Sequence, residues 1–137
     1  MSTSAEQDFQ KIRKPDEEWR RLLPPESYHV LFEEGTERAG TSPLNQEKRA
    51  GTYVCAACGL PLFTSDAKYE SGTGWPSFYQ PLEGAIGTST DRSWFMTRIE
   101  VHCSRCGGHL GHVFPDGPPP TGQRYCMNGV AMKFEPR

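Results

Sequence analysis

The sequence predicts a mainly β chain with short helices at its N-terminal end, and three observations carry that prediction. Glycine and proline punctuate nearly every segment through Gly72, Gly74, Pro76, Pro81, Gly84 and Gly87, which leaves room for strands and turns but not for a long helix. Residues 97–103, Thr-Arg-Ile-Glu-Val-His-Cys, alternate apolar with polar types, as a half-buried antiparallel strand does. Two Cys-x-x-Cys turns, Cys55-Ala56-Ala57-Cys58 and Cys103-Ser104-Arg105-Cys106, bracket the middle of the chain. A length of 137 residues fits one domain, 1–137, whose modest core would benefit from a metal.

Residues 1–14 are mostly polar and are expected to form a loosely ordered terminus, with Phe9 and Ile12 its only large apolar groups. A helix is expected from Pro15, with proline at its first position, acids Asp16 to Glu18 at the positive end of the dipole, and Trp19, Leu22 and Leu23 on one face. Pro24-Pro25 ends it. A second helix opens at Pro25-Glu26, presents Tyr28, Leu31 and Phe32 at i, i+3 and i+4, and stops near Gly35. His29, in that helix, reads as a packing or solvent-facing residue. From Gly51 onward short strands follow: Thr52-Tyr53-Val54 enters the first cysteine turn and Leu60-Pro61-Leu62-Phe63 leaves it. His102 reads as a strand residue. The prolines 118–120 stiffen a surface loop, and Val130, Met132 and Phe134 alternate as a last strand.

Fifteen basic against 17 acidic residues give a net charge of −2 and a pI near 6.1, which argues against an extended nucleic-acid surface. No apolar run is long enough to span a bilayer and the first residues are rich in charge, so no membrane association and a cytoplasmic location are expected.

Two residues between paired cysteines let both thiolates of a turn face one ion, and two such turns make the tetrahedral four-sulfur shell that Zn²⁺ prefers. Cys55, Cys58, Cys103 and Cys106 are therefore the expected ligands of one structural zinc, though four thiolates also bind iron. Gly59 and Gly107, one after each turn, supply the positive φ such turns need. The competing reading is a pair of disulfides, which sits poorly with five cysteines. A full shell leaves no open position for water, so the zinc is a staple, a zinc hydrolase is poorly supported, and the chemistry moves to the fifth cysteine, Cys126.

In Arg124-Tyr125-Cys126-Met127-Asn128, a strand would set Arg124, Cys126 and Asn128 on one face, where a guanidinium favours the thiolate and an amide holds a polar atom. Gly108-His109-Leu110-Gly111-His112-Val113-Phe114 sets two histidines three apart, and Gly111 allows a bend or bulge that turns both toward one pocket. Imidazoles deliver protons near neutral pH, although a buried inert cysteine, structural histidines and a second metal site are the alternatives. Gly74-Trp75-Pro76-Ser77-Phe78 is an aromatic turn, either a core plug or one wall of an apolar pocket.

These three motifs with the two cysteine turns, joined in order by Gly35-Thr36-Glu37 and Asp116-Gly117-Pro118, resemble the methionine-R-sulfoxide reductases of the B type over roughly Pro15 to Phe134. The resemblance implies two small antiparallel sheets and a structural zinc remote from the active site. It implies that Cys126 attacks the sulfoxide sulfur and becomes a sulfenic acid. It also implies that His109, His112 and Asn128 bind and polarise the sulfoxide oxygen, that Arg124 sets the thiol environment, and that Trp75 and Phe114 wall the S-methyl group. Many members carry a resolving cysteine where this chain has Thr73, so the resemblance implies a one-cysteine variant reduced by an external thiol such as thioredoxin, or glutaredoxin with glutathione. Gly129 stands where serine is frequent in the family. An interaction module built on the zinc turns is the rival reading, and it makes Cys126 dispensable.

Overall fold

The computed structural model describes residues 12, 14–33, 35–93 and 96–137. Among the described residues two helices, α1 (Asp16–Leu22) and α2 (Pro25–Glu33), precede nine strands: β1 (Gly51–Cys55), β2 (Pro61–Thr64), β3 (Lys68–Tyr69), β4 (Ser77–Phe78), β5 (Ile86–Ser93), β6 (Met96–Cys103), β7 (His109–Phe114), β8 (Arg124–Met127) and β9 (Met132–Pro136). The strands form a three-stranded sheet in the order β2-β1-β9 and a six-stranded sheet in the order β3-β4-β8-β7-β6-β5. All pairings are antiparallel, so the chain is mainly β with two antiparallel sheets, as the sequence predicts.

Most of the terminus expected to be loosely ordered, residues 1–11 and 13, lies outside the described residues. Ile12 is held, its N–H donating to the Arg105 carbonyl at 2.8 Å. Pro15 is extended, with ψ of 151°, and so caps α1 from outside rather than occupying its first turn. Trp19 and Leu23 are buried as expected, but Leu22 is 59% exposed. A seven-residue helix rests on the core along the narrow i, i+4 edge that Trp19 and Leu23 form, and Leu22 falls off that edge. In α2, Tyr28 and Leu31 are buried and Phe32 stacks on Trp19 at 4.9 Å, while His29 is exposed and pairs with Glu33.

The two sheets meet through aromatic rings. Phe78 of the larger sheet stacks on Phe63 of the smaller at 4.2 Å and meets Tyr53 edge-on at 5.0 Å. All three side chains are fully buried, so this contact closes the core by removing large apolar surface from water. The expected C-terminal alternation holds for Met132 and Phe134 of β9, but Val130 belongs to a 3-10 turn, Gly129–Ala131, that precedes the strand. Ala131 N–H donates to Asn128 O, tightening the chain there before β9 begins.

The two cysteine turns repeat one geometry. Gly59 N–H donates to Cys55 O and Gly107 N–H to Cys103 O, each at 2.9 Å, with φ of 80° and 78° at the two glycines. The first turn joins β1 to β2 in the small sheet and the second joins β6 to β7 in the large one, so whatever holds the turns together also holds the sheets together.

The pairing of β6 with β7 contains a bulge. Val101 pairs with Gly111 and His102 with His109, which leaves Leu110 as one extra residue on β7. The irregularity therefore falls at Leu110, beside the glycine where the sequence suggested it. Gly111 has a separate duty: a Cβ there would lie 2.2 Å from Cys126 O and 2.9 Å from Met127 Cα, backbone atoms of β8. Gly111→Ala is accordingly expected to cost about 3 kcal/mol or to prevent folding, since two paired strands would have to separate. Urea unfolding measures this, and an unchanged midpoint would mean that β8 moves aside freely.

Candidate functional site

Residues three apart on a regular strand face opposite ways, so His109 and His112 would be split between faces. The extra residue at Leu110 restores the phase. His102 and Glu100 share a face of β6 and pair with His109 and His112, which therefore share a face of β7. His112 in turn pairs with Cys126 of β8, and Cys126 with Ser77 of β4, so one cross-strand row carries the imidazole and the thiol side by side.

A cleft of about 300 Å³ opens above this row, lined by Thr36, Thr73, Trp75, Arg98, Gly111, His112, Phe114, Arg124, Cys126 and Asn128. Six of the sequence-predicted residues meet there: Cys126, His112, Asn128, Arg124, Trp75 and Phe114. His109 does not line it. Its ring is buried behind His112, with centroids 5.3 Å apart, and its Nδ1–H donates to Glu100 Oε2 at 2.8 Å. A carboxylate only accepts, so the proton sits on Nδ1, and Ser89 Oγ donates to the other Glu100 oxygen at 3.3 Å.

Arg124 faces the cleft with its charge shared. Its Nε and Nη2 donate to the two Asp116 oxygens at 2.9 and 3.2 Å, and its guanidinium lies over the Phe114 ring at 4.4 Å. The hydrogen bond from Arg124 holds the Asp116 carboxyl below the usual carboxylate range. Arg124 thus meets the cleft as a paired cation whose guanidinium also backs the Phe114 ring.

Asn128, one residue beyond β8, is buried, with Oδ1 accepting from Glu37 N–H at 3.0 Å and Nδ2 donating to Leu110 O at 3.1 Å. Its second amide hydrogen remains for the cleft. Glu37 is a hub that sequence reasoning did not assign. Its carbonyl accepts from Trp75 Nε1 at 3.0 Å, and its carboxylate accepts from Gly129 N–H at 2.8 Å and Val130 N–H at 3.1 Å. Burial pushes the Glu37 carboxyl up, and those two N–H groups pull the other way. Gly129 is buried against Ser42, whose Oγ a Cβ would meet at 1.9 Å; serine at this position is incompatible with Ser42 where it lies. Of the unassigned residues, Arg98 in the cleft was legible as the polar face of the alternating strand that also carries Glu100, whereas Thr36 in the cleft and Glu37 behind Asn128 lie in a loop without periodicity.

The four remaining cysteines form a separate cluster whose sulfurs all lie within 4.8 Å of one another, with Cys55 to Cys106 at 3.7 Å and Cys58 to Cys103 at 3.5 Å. A tetrahedral ion with metal–sulfur bonds of about 2.3 Å requires sulfurs about 3.8 Å apart, so the donor set fits a metal. Hydrogen bonding with Cys103, Cys106 and Cys58 pushes the Cys55 thiol up. All five cysteines are free of disulfides, and none of these four lines the cleft.

Fold and site together define a class: a small, mainly β protein that joins two sheets through a four-cysteine cluster able to hold a metal and sets a fifth, separate thiol in a cleft of imidazole, amide, guanidinium and aromatic groups. The family model for the SelR domain matches residues 23–136, and the chain belongs to that family. A protein named peptide methionine sulfoxide reductase MsrB from Pseudomonas putida (strain W619) is 58% identical over 94% of this chain and 98% of its own length. Proteins of the same name from Leptospira interrogans (serogroup Icterohaemorrhagiae serovar Lai, strain 56601) and Methanosarcina mazei are 56% and 58% identical, covering 91% and 90% of this chain and 96% and 89% of themselves.

Removing the Glu37 carboxylate strands two backbone donors, so Glu37→Ala is expected to lower stability by about 3 kcal/mol, measured by urea unfolding. The Asp116–Arg124 pair has a defined pH range. Because the folded Asp116 carboxyl sits below its ordinary value, the pair is intact at neutral pH and is lost only as pH falls through that lowered value. Titrating the carboxyl by NMR checks this: in Arg124→Met it is expected to move up toward the ordinary range.

Proposed function

We propose that the chain reduces methionine-R-sulfoxide, free or in oxidised proteins and peptides, with Cys126 as nucleophile. The observation that carries this reading is the position of Cys126, outside the metal knot and beside His112 in the cleft, in a chain of this family. Trp75 and Phe114 wall the S-methyl group and orient the sulfur. Cys126 Sγ attacks the sulfoxide sulfur as His112, backed by His109, and the free Asn128 amide hydrogen assist the oxygen, because a sulfoxide oxygen leaves only when protonated. The protonated oxygen then passes from the substrate sulfur to Sγ: an O–Sγ bond forms as the S–O and Sγ–S bonds to the substrate sulfur break, methionine departs with the electron pair, and Cys126 is left as a sulfenic acid.

Five thiols less four metal ligands leave Cys126 alone, and Thr73 offers no sulfur with which to form a disulfide. An external thiol therefore attacks the sulfenic sulfur, releasing water and forming a mixed disulfide that a second thiol resolves. Thioredoxin, or glutaredoxin with glutathione, suits that role. The metal is structural, because a Cys₄ shell has no open position, and zinc is the ion that paired Cys-x-x-Cys turns favour. Chemistry that depends on free thiols fits a cytoplasmic setting. Among the described residues no helix is long and apolar enough to cross a membrane.

Separate assays on the two sulfoxide epimers are expected to give turnover on the R form only, abolished in Cys126→Ser; equal rates on both epimers, or an active serine variant, would refute the assignment. His112→Ala is expected to slow single-turnover reduction on the order of a hundredfold, and His109→Ala to slow it less, with the fold retained. Metal analysis of protein purified without added zinc is expected to find about one zinc per chain.

A further inference from the structure

Cys126 Sγ lies 3.8 Å from Thr73 Oγ1, and that hydroxyl is the first of a chain. Thr73 Oγ1 is 2.8 Å from Ser71 Oγ, Ser71 Oγ is 2.7 Å from Ser77 Oγ, and Ser77 Oγ is 3.1 Å from the Trp75 carbonyl to which it donates. The backbone fixes the oxygens in place: Thr73 N–H donates to Ser71 Oγ at 3.3 Å and Trp75 N–H to Thr73 Oγ1 at 3.4 Å. Ser77 is 1% exposed, so the inner end of the chain is closed to water.

Each hydroxyl owns a single proton, so the direction of such a chain is set as a whole. With Ser77 donating to the Trp75 carbonyl, Ser71 donates to Ser77, Thr73 donates to Ser71, and Thr73 meets the sulfur with a lone pair. That arrangement suits a thiol, whose S–H is a donor. With every proton turned, Ser77 donates to Ser71, Ser71 to Thr73 and Thr73 to the sulfur. That arrangement suits a thiolate, and the one bond it gives up is that from Ser77 to the carbonyl of Trp75. Both directions leave all three hydroxyl oxygens paired, at the cost in one of them of the bond to the Trp75 carbonyl.

We propose that Thr73, Ser71 and Ser77 form a reversible hydroxyl relay whose direction follows the protonation state of Cys126, with Thr73 as the positioning residue that donates to the thiolate. This rests on the reading of Cys126 as the reacting thiol. The charged and titratable groups facing the sulfur are Arg124 on its own strand, with Asp116 beyond it, His112 on β7, Arg98 on β6 and Tyr69 on β3. None of these is altered in the variants below, so differences between variants report the relay.

The test is the rate of iodoacetamide alkylation at Cys126 against pH, read by peptide mass mapping on the full chain. Thr73→Val removes the donor and is expected to move the midpoint up by about one pH unit, the size of one hydrogen bond to a charged group. Thr73→Ser is expected to restore it. Ser71→Ala acts in the opposite direction: Thr73 loses the acceptor for its proton, turns that proton to the sulfur, and the midpoint moves down. A side chain that merely packs would not produce shifts of opposite sign. Equal midpoints in all variants, shifts of the same sign in Thr73→Val and Ser71→Ala, or failure of Thr73→Ser to restore the curve would overturn the relay. Alkylation needs no sulfoxide, so a reductase reading lost through an active Cys126→Ser would be seen separately.

Discussion

The closeness of β7 to β8 at Gly111 is the constraint on which the site depends. A side chain there would occupy the space of the Cys126 carbonyl, so the strands pair at full depth only because position 111 carries none. The single extra residue at Leu110, immediately before it, turns His109 onto the face that His112 and Cys126 share. Removing the bulge would reverse the phase of one histidine and break the row from Glu100 through His109 to His112. The chemistry of the cleft is thus set by backbone geometry before any side chain is considered.

The four-cysteine cluster acts on the same strand from its other end. The second cysteine turn leads directly into Gly108 and β7, with Cys103 N–H donating to Gly108 O at 2.9 Å. A Cβ at Gly108 would meet Leu31 of α2, so the entry to β7 is gripped by the turn and the helix together. Because the other cysteine turn belongs to the small sheet, an ion closed in by the four sulfurs would fix β7, an inner strand of the large sheet, against the small sheet, and its binding would contribute folding free energy. Glu37 does for the loops what the knot does for the sheets. Its four polar groups fasten Trp75 on one side and Asn128 with the turn that follows it on the other, two segments more than fifty residues apart in sequence.

Much of this was legible in the sequence wherever a local rule applied. Cys-x-x-Cys spacing gave the knot, alternation gave β6, and the glycines after each cysteine turn have the positive φ their positions require. The errors fell where packing decides. Leu22 matched the helical period but lies off the edge on which α1 rests, and Val130 matched a strand period in a segment that instead turns, its N–H and that of Gly129 taken by the Glu37 carboxylate. Arg124 was read as a bare cation, whereas its charge is shared with Asp116 across a loop. Glu37, Thr36 and the hydroxyls around Thr73 act through contacts between loops, and no period or spacing announces such contacts.

The central claim is that the oxygen leaves the substrate by passing to Cys126, and following the atom itself tests this most directly. Methionine-R-sulfoxide labelled with heavy oxygen would be given to the protein without any thiol, and the Cys126 peptide weighed after one turnover. The account predicts the heavy label on the Cys126 sulfur, with one methionine formed per protein molecule. Methionine formed while the label appears in water and Cys126 stays unmodified from the outset, or a label carried by any other residue, would contradict it.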